Sequence, residues 1–197
     1  MARRTLLLDL DGTLWDSRPW YAEILARVSG GSAVEHEHRL ATGTSVVGLA
    51  HELGVTKTRL ARDAGASVES LELYGDARET LDRLRERATR MAVVTNLPVW
   101  LVLPVARAVG IEGYFAAIVT PRIGVPAKPQ PHGIRKALAE MGRETDPHTW
   151  LVGDGAADAG AAVKAGVRFA WASYGYETVQ PSGAETVLQS FEDVLRL

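Results

Sequence analysis

Two aspartates, Asp9 and Asp11, close the segment Thr5-Leu6-Leu7-Leu8-Asp9-Leu10-Asp11-Gly12-Thr13. The leucine run before them has no polar alternation, the mark of a strand buried on both faces. Carboxylates two residues apart share a side of an extended chain, and open parallel sheets bind ligands at the carboxyl ends of their strands. Gly12 lets the backbone turn tightly just beyond. An Asp-Gly pair also makes ordinary hairpin turns, so the chemistry has to be argued from what other strand ends supply. Three further places qualify: Thr95 after Met91-Ala92-Val93-Val94, Lys128 between Ala127 and Pro129, and Asp154 with Asp158 after Trp150-Leu151-Val152-Gly153.

If a sheet gathers these strand ends, four carboxylates crowd one cleft. They repel, and a single lysine does not balance them. Oxygen ligands without His or Cys suit a hard divalent cation, and Mg²⁺ is the usual one. Because Mg²⁺ keeps waters and favours phosphate oxygens, a phosphate ester is the natural substrate class, with Lys128 and the Thr95 hydroxyl bound to its oxygens. Taken singly, Lys128 reads as a surface lysine, Thr95 as a strand end and Asp158 as an acid at a helix N-terminus. Their order along the chain argues for function.

The elements that must position these residues alternate between strand and helix from about residue 75 onward. Helical spacing of Ala77, Leu81, Leu84 and Ala88 precedes the strand ending at Thr95. A helix follows Pro98 and stops near Gly110, with Pro104 expected to kink or divide it. Ala117-Ile118-Val119 reads as a strand, His132 to Met141 as a helix, and Asp158 to Ala165 as another. Phe169-Ala170-Trp171-Ala172 reads as the last strand. The alternation implies an α/β fold, a Rossmann-like doubly wound parallel sheet covered by helices.

Residues 16–74 break the pattern, with helices near Trp20–Val28, Ser45–Leu53 and Thr58–Ala64 and no strand. The expected organisation is an α/β core of residues 1–15 and 75–197, with 16–74 a small α-helical cap inserted after the first strand. Trp15 and Trp20 flank the entry to this insert, either packing there or lining a substrate pocket. His36-Glu37-His38 reads as solvated cap surface, since residues two apart do not share a helix face.

With 197 residues, 22 basic against 24 acidic side chains and no basic stripe interleaved with aromatics, the chain is not built for nucleic acid. No apolar run approaches the ~20 residues of a membrane span. Met1-Ala2-Arg3-Arg4 before leucines is faintly leader-like, but Asp9 interrupts the apolar stretch. The absence of cysteine excludes disulfides, thiolate metal sites and a cysteine nucleophile. A cytoplasmic location and a small phosphorylated metabolite as partner are expected. Oligomeric state is not legible.

The ordered set Asp9-Leu10-Asp11-Gly12-Thr13-Leu14, Val94-Thr95-Asn96, Lys128-Pro129-Gln130-Pro131 and Gly153-Asp154-x-x-x-Asp158 resembles the four motifs of the haloacid dehalogenase superfamily, at its phosphoglycolate phosphatase-like branch. Tyr174-Gly175-Tyr176 is similar to that branch's aromatic-glycine loop. The resemblance implies Asp9 as nucleophile, Asp11 as acid and base, and Thr95, Asn96 and Lys128 around the phosphate. It implies Mg²⁺ held by Asp9, the Asp11 carbonyl and Asp154, with Asp158 acting through water or by positioning Lys128. It also implies an aspartyl-phosphate intermediate. The alternatives are a 2-haloacid dehalogenase, which needs neither a protonating Asp11 nor Mg²⁺, and a sugar phosphomutase, whose cap arginine is here replaced by Val46. A non-catalytic phosphate-binding regulatory protein is the alternative of another class.

Overall fold

A strand with apolar residues on both faces is stable only when both faces are covered, and that demand organises the molecule. The structure is a computed structural model describing residues 4–197; Met1-Ala2-Arg3, on which the leader-like reading falls, lie outside the described residues. In chain order its elements are β1 (Thr5–Leu8), β2 (Trp15–Asp16), α1 (Arg18–Ser29), α2 (Ala33–Ala41), α3 (Val46–Glu52) and α4 (Lys57–Ala66). Then come β3 (Glu72–Leu73), α5 (Ala77–Glu86), β4 (Arg90–Val94), α6 (Val99–Val109) and β5 (Ala117–Val119). The last are α7 (His132–Glu140), β6 (Thr149–Gly153), α8 (Ala156–Ala165), β7 (Arg168–Ala172) and β8 (Thr186–Leu188). No helix among the described residues is long and apolar enough to cross a membrane.

Six strands form one sheet in the order β5-β4-β1-β6-β7-β8, every pair parallel. Leu7 pairs with Ala92 on one side and Leu151 on the other. With Val94, Val119, Phe169 and Trp171 these residues line one face, packed under α7 and α8 by Ile134, Ala137, Leu138 and Ala162. Leu6, Leu8, Val93 and Val152, of the other parity, are equally buried. The chain builds outward from β1 through β4 to β5, then returns to β1's other side as β6. That reversal opens a crevice beyond the carboxyl ends of β1 and β6, the place where such sheets bind ligands. The expected doubly wound parallel sheet is therefore observed.

By its internal contacts the chain divides into two compact units, residues 1–15, 73–99 and 111–197, and residues 16–72 with 100–110. The first contains the sheet. The second is helical, with α1 packed on α2 and α4. Ser45 Oγ accepts the Gly48 amide at 3.1 Å and Thr56 Oγ1 the Arg59 amide at 3.2 Å, so α3 and α4 begin at hydroxyl caps. Helix α6, which the sequence reading leaves with the α/β core, falls in this unit. Pro104, expected to kink or divide this helix, lies inside it without dividing it.

Four expectations are corrected. Helix α2 is unanticipated because it buries only His36 and Leu40, too thin an apolar stripe to read. His36 is not solvated surface: it is 3% exposed, with Nε2 3.3 Å from Ser29 Oγ, whereas His38 is exposed. Phe169–Ala172 is not the last strand, since β8 pairs beyond it with only Leu188 buried. The two-residue strands β2 and β3 form a separate ribbon, too short to leave a sequence pattern.

Candidate active site

Asp9 directly follows β1, and its amide donates to Val152 O at 2.9 Å, carrying the β1–β6 pairing one residue past the strand. Asp154 directly follows β6, and Asp158 lies in the first turn of α8. Carboxylate oxygens of Asp9, Asp154 and Asp158 all lie within 4.8 Å of one another, and all three residues are buried. The Lys128 ammonium reaches into this cluster, with Nζ 2.7 Å from Asp9 Oδ1 and 2.7 Å from Asp158 Oδ1. Asp158 Oδ2 accepts the Gly155 amide at 3.3 Å.

Burial without compensation would drive these charges out. Burial also works against the Lys128 ammonium, but the Asp158 and Asp9 carboxylates outweigh it and hold the group above its ordinary value. Asp154 has no lysine contact of that kind. Burial first, then the charges of Asp9 and Asp158, push its carboxyl up to about 7, against the opposing pull of the Tyr176 amide and Lys128. Burial likewise raises Asp158, partly offset by Lys128. Three carboxylates share one ammonium, and two of them, Asp154 and Asp158, are reluctant to ionise. An all-oxygen donor set with surplus negative charge is the environment a hard divalent cation satisfies.

Asp154 is held from two sides. The Trp171 indole donates to its carbonyl at 2.9 Å, and the Tyr176 amide to its Oδ2 at 2.7 Å. Gly175 and Gly12 make this close approach feasible. A Cβ on Gly175 would clash with Gly12 O and the Asp154 side chain, and one on Gly12, at φ +74°, would clash with the Asp154 carboxylate. The Tyr174 hydroxyl donates to Thr13 O at 2.9 Å, and the Glu177 carboxylate accepts the Ala156 amide at 3.0 Å, at the start of α8. Loop 174–177 thus fastens the ends of both β1 and β6.

The remaining residues singled out from the sequence are placed as follows. Thr95 Oγ1 accepts the Leu97 amide at 3.2 Å, leaving its own hydroxyl proton to be donated. The Asn96 side chain is committed to the backbone of Lys128, donating from Nδ2 to Lys128 O at 3.1 Å and accepting the Lys128 amide on Oδ1 at 2.8 Å. It fixes the lysine's loop. Asp11 does not join the carboxylate cluster: its Oδ1 accepts the Trp15 indole Nε1–H at 2.7 Å. Strand alternation fails to predict this because Asp11 lies beyond the end of β1.

The bond of Trp15 to Asp11, the role of Glu177 and the clamping action of Asn96 are not found by sequence reasoning. Each acts through a single hydrogen bond or a long-range pairing that leaves no spacing rule. The aromatic-glycine resemblance is the one signal that points toward loop 174–177.

The parallel sheet with three buried acids and one lysine at its switch point is an α/β core carrying an oxygen-rich site. Residues 3–166 match the model of the haloacid dehalogenase-like hydrolases, and the chain belongs to that family. A phosphoglycolate phosphatase of Pectobacterium atrosepticum is 32% identical, over 100% of this chain and 92% of the relative. The crystal structure of a predicted phosphoglycolate phosphatase from Haemophilus somnus superposes with TM-score 0.79 at 24% identity, covering 98% and 97% of the two chains. That of CbbY from Rhodobacter sphaeroides in complex with xylulose-(1,5)bisphosphate gives 0.77 at 18% identity, covering 98% and 96%. The chain is accordingly a phosphatase-type hydrolase of this family.

Proposed function

We propose that the chain is a Mg²⁺-dependent phosphomonoesterase that cleaves a small organic phosphate, of the phosphoglycolate type, through an aspartyl-phosphate. The observation that carries this reading is the pairing of Lys128 with Asp9 and Asp158 at 2.7 Å each, beside a third buried carboxylate at the sheet's switch point. The names of the relatives support the substrate class. Asp9, the Asp11 carbonyl and Asp154 would hold Mg²⁺, which when bound offsets the charge of carboxylates and phosphate.

Lys128 holds Oδ1 of Asp9, which leaves Oδ2 to attack phosphorus. The phosphorus–oxygen bond to the leaving group breaks, and Asp11 delivers a proton to the departing alkoxide. Asp11 then takes a proton from water as that water attacks phosphorus, releasing phosphate and restoring Asp9. Thr95, the backbone at Asn96 and Lys128 neutralise the equatorial oxygens. Asp158 acts on Lys128, keeping the ammonium in place. Residues 16–74 serve as a cap that selects the ester, and the protein works in the cytoplasm on a small phosphorylated metabolite.

The test is a turnover screen over phosphate esters, 2-phosphoglycolate included, with Mg²⁺ and with chelator. Activity is expected with Mg²⁺ alone. Asp9→Asn should give neither turnover nor phosphoenzyme, and Asp11→Asn should lose about 10²- to 10⁴-fold. Full turnover in chelator, or a phosphoryl group trapped on another residue, would refute the reading.

A further inference from the structure

The Trp15 side chain is 1% exposed, yet its only polar atom does not serve the fold's backbone: it donates to Asp11 Oδ1 at 2.7 Å. That length is at the short end of the range for N–H···O bonds. The backbone is shaped to make it. Leu10 O accepts the amides of Thr13, Leu14 and Trp15 at 3.0, 2.8 and 3.3 Å, and the Gly12 amide donates to Trp15 O at 3.0 Å. The loop from Leu10 to Trp15 therefore closes on itself and folds the indole back over Asp11. Trp15 is in turn fixed by its place in β2, which pairs with β3.

An indole N–H can donate but cannot accept. An oxygen that receives it cannot turn a proton toward it, so the bond distinguishes the two oxygens of Asp11. We propose that Trp15 is a positioning residue for proton transfer: it holds Asp11 Oδ1 as the permanent acceptor and so makes Oδ2 the atom that gives and takes the proton. The inference rests on the reading of Asp11 as proton donor given above. Without the indole the carboxyl loses the donor that fixes Oδ1 as acceptor, and its proton meets the leaving oxygen less often. Misplacement of a reacting group by about 1 Å costs on the order of 10²-fold, so a loss of about ten- to a hundredfold is expected where protonation matters. The loss should shrink for a leaving group that departs without help.

The experiment compares Trp15→Phe, Asp11→Asn and the double variant with the wild type on nitrophenyl, phenyl and alkyl phosphates, measuring kcat and KM separately. For Trp15→Phe, kcat on alkyl phosphates is expected to fall at least about tenfold, with KM changed by less than about threefold and a clearly smaller loss on nitrophenyl phosphate. Adding Trp15→Phe to Asp11→Asn should cost nothing more, because the group being positioned has already lost its function. In the ¹⁵N–¹H spectrum the resonance that Trp15→Phe removes should lie downfield and shift upfield in Asp11→Ala. Should Trp15→Phe fail to fold, 3-benzothienylalanine at position 15 keeps the shape, removes only the N–H, and carries the same expectations. Equal losses on all esters for Asp11→Asn would overturn the proton-donor reading, and the role of Trp15 with it. A leaving-group-dependent loss for Asp11→Asn, with a uniform or fully additive loss for Trp15→Phe, would overturn the inference alone.

Discussion

Replacing Lys128 by methionine keeps the stem and removes the charge, which makes it the sharpest test of the carboxylate cluster. The ammonium lies 2.7 Å from Asp9 Oδ1 and 2.7 Å from Asp158 Oδ1, and its side chain is 3% exposed. At an effective dielectric of about 20, each contact is worth roughly 6 kcal/mol of attraction. Burying the ammonium and the carboxylates costs several kcal/mol per ion, so most of that attraction is already spent. What remains is the penalty of leaving buried carboxylates unpaired, about 3–5 kcal/mol. Urea denaturation in chelator near pH 7 should therefore show a loss of that size, a large share of a total of about 5–15 kcal/mol.

The loss should depend on pH, with a definite sign. Asp154 and Asp158 have carboxyls raised above the ordinary value of 3.8, Asp154 to about 7, so the folded state binds more protons than the unfolded one across that window. Stability from these groups is present at low pH and is lost as pH rises toward about 7. Lys128 is raised as well, so its own contribution is lost only at alkaline pH, outside the window. Without the ammonium the carboxylates hold protons more tightly still, and the deficit of the variant should shrink between about pH 7 and pH 5. A deficit below about 1 kcal/mol at pH 7, or one independent of pH, would mean that the three carboxylates are not buried together.

Two further outcomes follow from the same geometry. Because a metal ligand must be ionised and Asp154 titrates near 7 in the metal-free protein, Mg²⁺ binding should release protons around that pH. Calorimetry in buffers of different ionisation enthalpy reads the release, and apparent affinity should fall by up to about tenfold per pH unit below it; binding without proton release would contradict the burial of Asp154. Gly175→Ala, whose new Cβ would clash with Gly12 O and the Asp154 side chain, should weaken Mg²⁺ binding by about 10- to 100-fold in a folded protein, and unchanged affinity would contradict the packing described.

How much of this was legible in the sequence depends on the range of the interaction involved. Strands β1, β4 and β6 are readable because a sheet covered on both faces demands uninterrupted apolar runs, and the residues placed at their ends follow directly. Asp9, Asp154, Asp158 and Lys128 could be named because parallel topology must gather strand ends. The state of each side chain was not readable. Asn96 and Lys128 are 32 residues apart and meet through a reciprocal amide pairing. Asp11 turns to Trp15 because of a loop closed on one carbonyl, a geometry that no alternation rule contains. Helix α2 hides because one of its two buried residues is a histidine, and β8 because a three-residue edge strand shows almost no pattern.

The contact of Gly175 with Gly12 and Asp154 has a consequence of its own. Coulomb attraction and hydrogen bonds strengthen or fade with ionic strength and protonation, but the repulsion between touching atoms does not. The gap between the ends of β1 and β6 is bounded on one side by the close approach of Gly12 and Gly175, neither of which has a side chain to compress or rotate away. The width of the site on that side is thereby a property of van der Waals radii. It should stay the same in dilute buffer and in strong salt, whether its acids are charged or neutral, and an ion arriving there meets a cradle whose size was set before any charge was felt.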